Sequence, residues 1–181
     1  MSISLVPLSL DHHVAALQQL YRATPGYWAM YNFPSSPAGQ AENDLRLAAE
    51  TPGRYLLGIV QRITDDNAEA STATGQAPAG ELIGLVDFRL HWPTEQTAYL
   101  GMLMVAEPYQ RQGIGTQAWA LLCPWLAQSA QMAKVRLGVE QFNPQALQFF
   151  QQLGFAFTGE TDRVRVGDKF VRLLYMELAL P

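Results

Sequence analysis

The stretch YQRQGIGTQAW, residues 109–119, combines residue types and spacing that suit ligand binding. Gly113 and Gly115 flank one isoleucine, between an apolar strand-like run and a helix-like run. The first N–H groups of a helix lack internal acceptors and lie at the positive end of its dipole, and glycine lets a phosphate approach the backbone closely. With the charge of Arg111 and the hydroxyl of Thr116, the segment predicts a pyrophosphate site. The alternative is an ordinary tight turn.

Other ligand classes are less favoured by the sequence. The loop lacks Gly-x-Gly-x-x-Gly and the Gly-Lys-Ser/Thr ending of a P-loop, so neither a dinucleotide nor a nucleoside triphosphate is favoured. The net charge of −4 gives no general attraction to nucleic acid. Cys123 is the only cysteine, which excludes an intrachain disulfide and a multi-cysteine zinc site. We expect no metal, and we expect Cys123 to be a buried, unreactive thiol.

The composition predicts one globular domain over residues 1–181, because 49% of the residues are hydrophobic and 15% are charged. The N-terminal stretch MSISLVPLSLDHH has no charged start followed by a long apolar core. No apolar run approaches the ~20 residues that span a bilayer. We therefore expect a cytoplasmic protein without a secretory signal, and no interaction with membranes or nucleic acid.

Hydrophobic periodicity predicts a mixed α/β fold in the order strand, two helices, three strands, helix, strand, helix and two strands. Strands are predicted at 3–9, 54–63, 81–92, 97–106 and 134–140, followed by a C-terminal hairpin that turns near 167–168. Helices are predicted after Ser9 or Asp11, after Ser36, after the glycine loop and after Asn143, and Pro124 should kink or break the third of them. The small polar stretch at about residues 65–80 is predicted to be a mobile hairpin insertion.

Two segments resemble motifs of the GNAT superfamily of N-acetyltransferases. In LGMLMVAEPYQRQGIGTQAWALL, an apolar strand leads into Gln/Arg-x-x-Gly-x-Gly/Ala at a helix start, matched by Gln110, Gly113 and Gly115. In NPQALQFFQQLGF, the family's Asn-x-x-Ala, aromatic and Gly-Phe spacing is matched by Asn143, Ala146, Phe150, Gly154 and Phe155. The resemblance covers roughly residues 81–180. It implies a GNAT-like single domain whose central, mostly antiparallel mixed sheet has about seven strands, flanked by helices and splayed at the acyl-CoA site.

The resemblance also implies acetyl-CoA as cosubstrate and assigns roles to residues. In the family, backbone amides of the loop hold the CoA pyrophosphate, and the end of the preceding strand pairs with pantetheine. The N–H of Val105 would stabilise the oxyanion that forms when an amine attacks the acyl carbon. The implied CoA-contacting residues are Leu103, Met104, Val105, Gln110, Arg111, Gln112, Gly113, Ile114, Gly115, Thr116, Asn143 and Phe150. For Asn143, a plain helix cap is an equally good reading.

The chain departs from the family at the position of the general acid, the residue that protonates the leaving group. Phe150 stands where the family often has a tyrosine that protonates the departing thiolate, and phenylalanine cannot donate a proton. Either the thiolate leaves unassisted, another group or water protonates it, or the protein is a poor enzyme. Tyr109 and Tyr175 are the candidate substitutes.

The general base is a second departure, because the central strand TAYLGML has no glutamate. Asp87, the one acid inside the apolar run LIGLVDFRL, is the best candidate, and a solvated strand residue is the alternative reading. His91 and Glu95 are weaker candidates. His12, His13 and Glu107 are expected at the surface.

Aromatic residues in PGYWAMYNFP predict an acceptor pocket built from Tyr27, Trp28 and Tyr31, although Phe33, Trp92 and some of these three can equally be core residues. We expect an N-acetyltransferase that moves an acetyl group to a primary amine of a small molecule or peptide by direct attack in a ternary complex. The alternative is an acyl-CoA-binding sensor or interaction module with little or no catalysis. Because GNAT-like proteins are often dimers, a homodimer is an option.

Overall fold

The computed structural model of the chain describes residues 2–62, 80–166 and 169–181. This part forms seven strands: β1 (Ile3–Pro7), β2 (Arg54–Arg62), β3 (Gly80–Arg89), β4 (Thr97–Val105), β5 (Lys134–Glu140), β6 (Ala156–Val166) and β7 (Lys169–Ala179). It also forms five α-helices: α1 (Leu10–Arg22), α2 (Pro25–Met30), α3 (Gln40–Glu50), α4 (Ile114–Pro124) and α5 (Pro144–Gln152).

The strands form one mixed sheet in the order β1-β2-β3-β4-β5-β7-β6. Only β4 and β5 run parallel among the neighbouring strands described, and the other pairs are antiparallel. Successive strand residues point to opposite faces. Leu85 accordingly packs in a cluster with residues of α1–α3, whereas its neighbour Val86 packs with residues of α4 and α5. The predicted seven-stranded mixed sheet flanked by helices is therefore confirmed.

The predicted strands agree with the observed ones to within three residues at each described end. The predicted insertion at about 65–80 lies outside the described residues, except for Gly80, which begins β3. Among the helices described, none is long and apolar enough to cross a membrane.

Pro124 breaks the third long helix, as predicted. It is the last residue of α4, and the chain continues through Trp125–Ser129 as a π-helix. The proline ring removes a hydrogen-bond donor and clashes with the preceding turn, so the regular helix cannot continue unchanged. Cys123, just before it, is half-buried rather than buried, and burial raises the pKa of its thiol. A raised pKa leaves little thiolate near neutral pH.

The central strand β4 is irregular where it passes β3. Phe88 lies opposite Leu100, and Asp87 lies opposite Met102, so Gly101 is an extra residue in β4. A bulge of this kind bends the strand and increases its twist. The parallel pairing of β4 with β5 runs only from Thr97–Leu100 against Lys134–Leu137. Beyond the bulge the two strands are no longer paired, which leaves a gap between the last residues of β4 and those of β5.

Candidate active site

The gap between β4 and β5 is bordered by the last residues of β4. On its other edge β4 stays paired with β3, where Val86, Leu85 and Gly84 lie opposite Leu103, Met104 and Val105 respectively. The N–H of Ala106 donates to the carbonyl oxygen of Ile83 at 2.8 Å, which is on the β3 side. Because successive N–H groups of an extended strand alternate between its two edges, the N–H of Val105 points towards the gap.

The glycine loop is tied back to the end of β4. The side-chain Nε2–H of Gln110 donates to the carbonyl oxygen of Val105 at 2.8 Å, and that of Gln112 donates to the carbonyl oxygen of Pro108 at 2.9 Å. Arg111 has φ 63°, a left-handed conformation that is uncommon for a residue other than glycine. Such a backbone conformation is strained and persists only where the surrounding structure holds it in place. Strained residues of this kind cluster at functional sites.

The N-terminus of α4 presents free backbone donors beside this loop. Gly113 is the N-cap residue with φ 76°, and the first helical hydrogen bond runs from the N–H of Gln117 to the carbonyl oxygen of Gly113 at 3.0 Å. The N–H groups of Ile114, Gly115 and Thr116 therefore have no acceptor within the helix. The first turn of α4 has no acidic side chain. These donors can hold an anion of the size and charge of a pyrophosphate.

The two glycines of the loop have different roles. A Cβ on Gly113 would meet only Gln117 Nε2, at 3.9 Å, so this position needs glycine for its positive φ. A Cβ on Gly115 would lie 3.1 Å from Phe149 Cζ and 3.4 Å from Leu103 Cδ2. Gly115 thus lets α4 pack closely against α5 and β4, a role that the sequence pattern alone does not reveal.

Helix α5 holds the second pair of predicted residues. The Oδ1 atom of Asn143 accepts the N–H of Ala146 at 3.1 Å, so Asn143 caps the helix. Phe150 is 9% exposed and packs against Phe149 and Phe155, with ring centroids 5.1 and 5.5 Å away. Its surroundings are hydrocarbon, and it supplies no proton there.

The opposite face of the sheet, beneath α1–α3, holds a polar cluster. Tyr27 and Tyr31 contact each other edge to face, and the hydroxyl of Tyr31 donates to Oε1 of Glu140 at the end of β5. Burial, with the nearby charge of Glu140, raises the pKa of Tyr27 to about 12. Burial also raises the pKa of Tyr31, with added contributions from Tyr27 and Glu140. Trp28 is instead a core residue: it is 6% exposed, and its indole N–H donates to the carbonyl oxygen of Tyr21 at 2.8 Å.

Asp87 lies on this same face and is paired with Arg54. The guanidinium donates from Nε to Oδ1 at 3.0 Å and from NH2 to Oδ2 at 2.6 Å. The side chain of Asp87 is 15% exposed, and that of Arg54 is 22% exposed. The solvated-residue reading of Asp87 is therefore wrong, and both of its oxygens accept a charge-assisted bond. The carboxylate also lies beside the bulge, since a Cβ on Gly101 would be 3.8 Å from Oδ2.

The tyrosines considered as proton donors have partners elsewhere. The hydroxyl of Tyr109 donates to Glu81 at 2.6 Å, which raises its pKa. The ring of Tyr175 lies under the Arg136 guanidinium, 4.3 Å from its centroid. A third phenol, Tyr99, lies near the start of the gap: its hydroxyl would be 3.2 Å from a Cβ on Gly138, and burial raises its pKa to about 12.

The weaker candidates lie outside this cluster. His91 Nδ1 contacts the carbonyl oxygen of Glu95 within one exposed turn, and His13 Nδ1 accepts the N–H of Ser9 at the start of α1. Glu107, expected to be solvated, accepts the N–H of Gly26 at 2.6 Å. In the part of the chain that the structure describes, no group of three or more His, Cys, Asp or Glu residues could hold a metal ion.

The sequence reasoning missed three residues of the polar face: Glu140, Arg54 and Tyr99. The sequence does contain a signal for Glu140, which ends a strand three residues before Asn143, the cap of α5. Ligands of α/β proteins gather at the carboxyl ends of parallel strands. No comparable signal marks Arg54, whose partner Asp87 is 33 residues away in the chain.

Comparisons with known proteins identify the family of the chain. The model of the acetyltransferase (GNAT) family matches residues 17–155. A comparison with curated proteins finds no match. Among solved structures, the chain is similar to an acetyltransferase from Thermus thermophilus, with TM-score 0.71, 23% identity, and 99% of this chain and 98% of the other covered.

The chain is also similar to a spermidine N-acetyltransferase from Vibrio cholerae in complex with CoA and spermine. Here the TM-score is 0.70 and the identity 13%, with 98% of this chain and 95% of the other covered. At these identities the two structures support the fold alone. The family match spans most of the chain and both motif segments. The chain therefore belongs to the acetyltransferase (GNAT) family, whose members use acetyl-CoA.

Proposed function

We propose that the protein transfers an acetyl group from acetyl-CoA to a primary amine, by direct attack of the amine within a ternary complex. The observation that supports this most strongly is the gap between β4 and β5, into which the N–H of Val105 points, directly beside the free N–H groups of α4. Acetyl-CoA supplies a thioester whose carbonyl carbon bonds to the amine nitrogen while the C–S bond breaks and CoA leaves as a thiolate.

The loop and the start of α4 would hold the pyrophosphate. Backbone N–H groups from Gln112 to Thr116 and the guanidinium of Arg111 supply donors and positive charge, and the absence of an acid from the first turn of α4 fits an anion. Leu103, Met104 and Val105 would border the pantetheine arm, with Asn143 and Phe150 across the gap on α5. These assignments extend the resemblance and rest on the geometry described above.

Val105 would act through its backbone. Its N–H points away from β3 and towards the gap, where it can donate to the carbonyl oxygen of the thioester as negative charge develops there. A donor fixed by a strand needs little reorganisation during the reaction. The carbonyl oxygen of Val105, in the next peptide unit, accepts a hydrogen bond from Gln110, which restrains the backbone of Val105.

The amine must lose a proton, and two carboxylates on the polar face are candidates to take it. Asp87 is the candidate predicted from the sequence, but both of its oxygens are bonded to Arg54. Glu140 ends β5 on the edge of the gap, and its Oε1 atom accepts a hydrogen bond from the hydroxyl of Tyr31. We therefore propose Glu140 as the proton acceptor, directly or through water, and Asp87 as a positioning residue. Tyr27 and Tyr31 would wall the acceptor pocket.

Phe150 supports a second candidate function, an acyl-CoA sensor with little catalysis. A phenylalanine among Phe149 and Phe155 cannot protonate the leaving thiolate. However, the pKa of a thiol is about 8.5, so a CoA thiolate leaves acceptably near neutral pH without an acid. Free proton donors in water can then complete the reaction, and the transferase remains the better proposal.

One experiment separates the two functions. Acetyl-CoA and free CoA are titrated into the protein by calorimetry, and thiol release is then measured over a panel of primary amines, with an amine-free sample to measure hydrolysis. Binding with amine-dependent thiol release is the expected result. Binding without release supports the sensor, and the absence of binding refutes both.

A further inference from the structure

Helix α2 is bonded to both strands that border the gap between β4 and β5. Just before the helix, the carbonyl oxygen of Ala23 accepts the N–H of Glu107, two residues after the end of β4, at 3.0 Å. Just after the helix, the hydroxyl of Tyr31 donates to Oε1 of Glu140, the last residue of β5. The position of α2 therefore decides where the tyrosines that would wall the acceptor pocket lie relative to the end of β4.

Among the described residues that lead into α2, none caps the start of the helix with its side chain. The hydroxyl of Thr24, the N-cap residue, donates instead to the carbonyl oxygen of Tyr21 at 3.0 Å. Pro25 has no N–H, so the N–H of Gly26 is the first in the helix that needs an acceptor. A helix of six residues is also too short to be stable by itself in water. The start of α2 therefore depends on a partner outside the helix.

Glu107 supplies the missing acceptor. Its Oε1 atom accepts the N–H of Gly26 at 2.6 Å, in a short, charge-assisted hydrogen bond. A negative charge at the start of a helix also interacts favourably with the helix dipole. A Cβ on Gly26 would lie 2.9 Å from the same oxygen, so the glycine leaves room for the carboxylate. With its backbone N–H bonded to Ala23, Glu107 holds the connection between α1 and α2 at two points.

The same connection also contacts the residue before Val105. The hydroxyl of Thr24 lies 3.4 Å from Sδ of Met104, and Thr24 is 1% exposed. Met104 and Glu107 lie on either side of Val105 in the chain, so the start of α2 is held from both sides of this residue. These contacts align the acceptor pocket with the peptide whose N–H would bind the thioester.

We propose that Glu107 is a positioning residue for the acceptor, an inference that rests on the proposed transfer to an amine. Glu107 holds the start of α2, and with it Tyr27 and Tyr31, at the end of the strand that carries Val105. Without this bond, α2 is in place in only a fraction of the molecules, and the apparent affinity for the amine falls by that fraction. Acetyl-CoA binds through the loop and α4, so its affinity does not depend on the bond. Once the ternary complex has formed, Val105 and the proton acceptor are unchanged, so kcat is retained.

The test compares Glu107→Ala with Glu81→Ala, using the primary amine of the thiol-release panel that the wild type acetylates fastest. Glu81 is the matched control, because it accepts the hydroxyl of Tyr109 in an exposed bond of 2.6 Å and so holds the same turn to β3 instead of α2. Glu107→Ala should raise the KM of the amine by about tenfold, as expected for a lost hydrogen bond to a charged group. Its kcat and its Kd for acetyl-CoA should stay close to those of the wild type. Glu107→Gln retains an oxygen that can accept the Gly26 N–H, so its KM should lie near the wild-type value, and Glu81→Ala should leave the KM unchanged.

Hydrogen exchange at the Trp28 indole reports the position of α2 without turnover. This buried N–H donates to the carbonyl oxygen of Tyr21 at 2.8 Å, so it exchanges when α2 opens. Exchange should be faster in Glu107→Ala and unchanged in Glu81→Ala. Gly26→Ala is a second variant: alanine favours a helix over glycine, but its Cβ would displace the carboxylate. The KM of the amine and the exchange rate should therefore rise in this variant too.

The possible failures of the two proposals can be told apart. If the wild type acetylates the amine and Glu107→Ala has an unchanged KM, Glu107 does not position the acceptor. An equal rise of the KM in Glu81→Ala also overturns the proposal, because the turn and not α2 would then be responsible. A wild type that acetylates no amine refutes the proposed function instead. Faster Trp28 exchange in Glu107→Ala alone would then still support the anchoring of α2, and unchanged exchange would refute that as well.

Discussion

The side-chain amide of Gln110 donates a hydrogen bond of 2.8 Å to the carbonyl oxygen of Val105. This bond joins the loop that would hold the pyrophosphate to the strand end that would hold the thioester. The N–H of the same Val105 residue points towards the gap between β4 and β5. One side chain therefore fixes the distance between two parts of the proposed cosubstrate site.

Removing this bond should reduce catalysis more than stability. Gln110→Ala is expected to lower kcat by about tenfold, because the backbone of Val105 would be less restrained in the conformation that directs its N–H to the oxyanion. The free energy of unfolding should fall by only about 1 kcal/mol, since the bond is exposed. Gln131→Ala removes a comparable bond, 2.8 Å to the carbonyl oxygen of Gln128, far from the site and serves as the control. Equal kcat values for the two variants would contradict the role of Gln110.

Gly113 and Gly39 offer a matched pair for the phosphate loop. Each is the N-cap residue of a helix with φ 76°, and neither has an atom that would clash with an added Cβ. Alanine at either position should therefore lower the free energy of unfolding by a similar amount, about 1 kcal/mol. Only Gly113→Ala should weaken the binding of acetyl-CoA, by about tenfold in calorimetry. Gly113→Val should abolish binding while the circular dichroism spectrum stays close to that of the wild type. If the Gly39 and Gly113 variants bind acetyl-CoA equally well, the pyrophosphate does not lie at this loop.

The two carboxylates should differ in their pH–rate profiles. Glu140→Gln retains an oxygen that can accept the Tyr31 hydroxyl but removes the proton acceptor, so kcat should fall by about 100-fold and lose its acidic limb. Asp87→Asn leaves Arg54 without its anion; it should lower the free energy of unfolding by about 1–3 kcal/mol and reduce the rate, with the acidic limb retained. An acidic limb that disappears in Asp87→Asn and persists in Glu140→Gln would identify Asp87 as the base, as the sequence alone predicts.

Buried phenols should make the fold sensitive to alkali. The pKa of Tyr27 is raised to about 12 by burial and by Glu140, above the ordinary value near 10. Between pH 10 and 12 the unfolded chain loses this proton while the folded protein retains it, so the stabilisation is complete below pH 10 and is lost as the pH rises through 12. Each such tyrosine lowers the free energy of unfolding by about 1.4 kcal/mol per pH unit in this window. Tyr27→Phe should reduce the slope measured by denaturant unfolding; an unchanged slope would show that Tyr27 is not shielded.

The order of the elements and the glycine loop can be predicted well from the sequence, because both depend on local patterns. Strand β4 is a continuous apolar run, and Asn143 with Pro144 marks the start of α5 through ordinary capping chemistry. The polar face depends on contacts that no local pattern contains. Tyr31 and Glu140 are 109 residues apart in the chain, and they meet only because the residue that follows α2 reaches the carboxyl end of β5.

Packing roles are also beyond what the sequence predicts. The pattern around Gly115 suggests that the missing side chain lets a phosphate approach, whereas in the structure the position of a Cβ on Gly115 lies against Phe149 and Leu103. The aromatic cluster suggests Trp28 as a pocket wall, but its indole lies in the core against Tyr21. In both cases the residue type suits two roles, and only the position of a neighbouring element decides between them.

The most direct test of the proposed site is a titration of acetyl-CoA into ¹⁵N-labelled protein, in which the chemical shifts of the backbone amides are measured. The largest shifts are expected at Val105 and from Gly113 to Thr116, because these N–H groups would donate to the thioester and to the pyrophosphate. Shifts confined to the loop would place the nucleotide there but remove Val105 from the chemistry. An unchanged spectrum at saturating acetyl-CoA would contradict the proposed cosubstrate site.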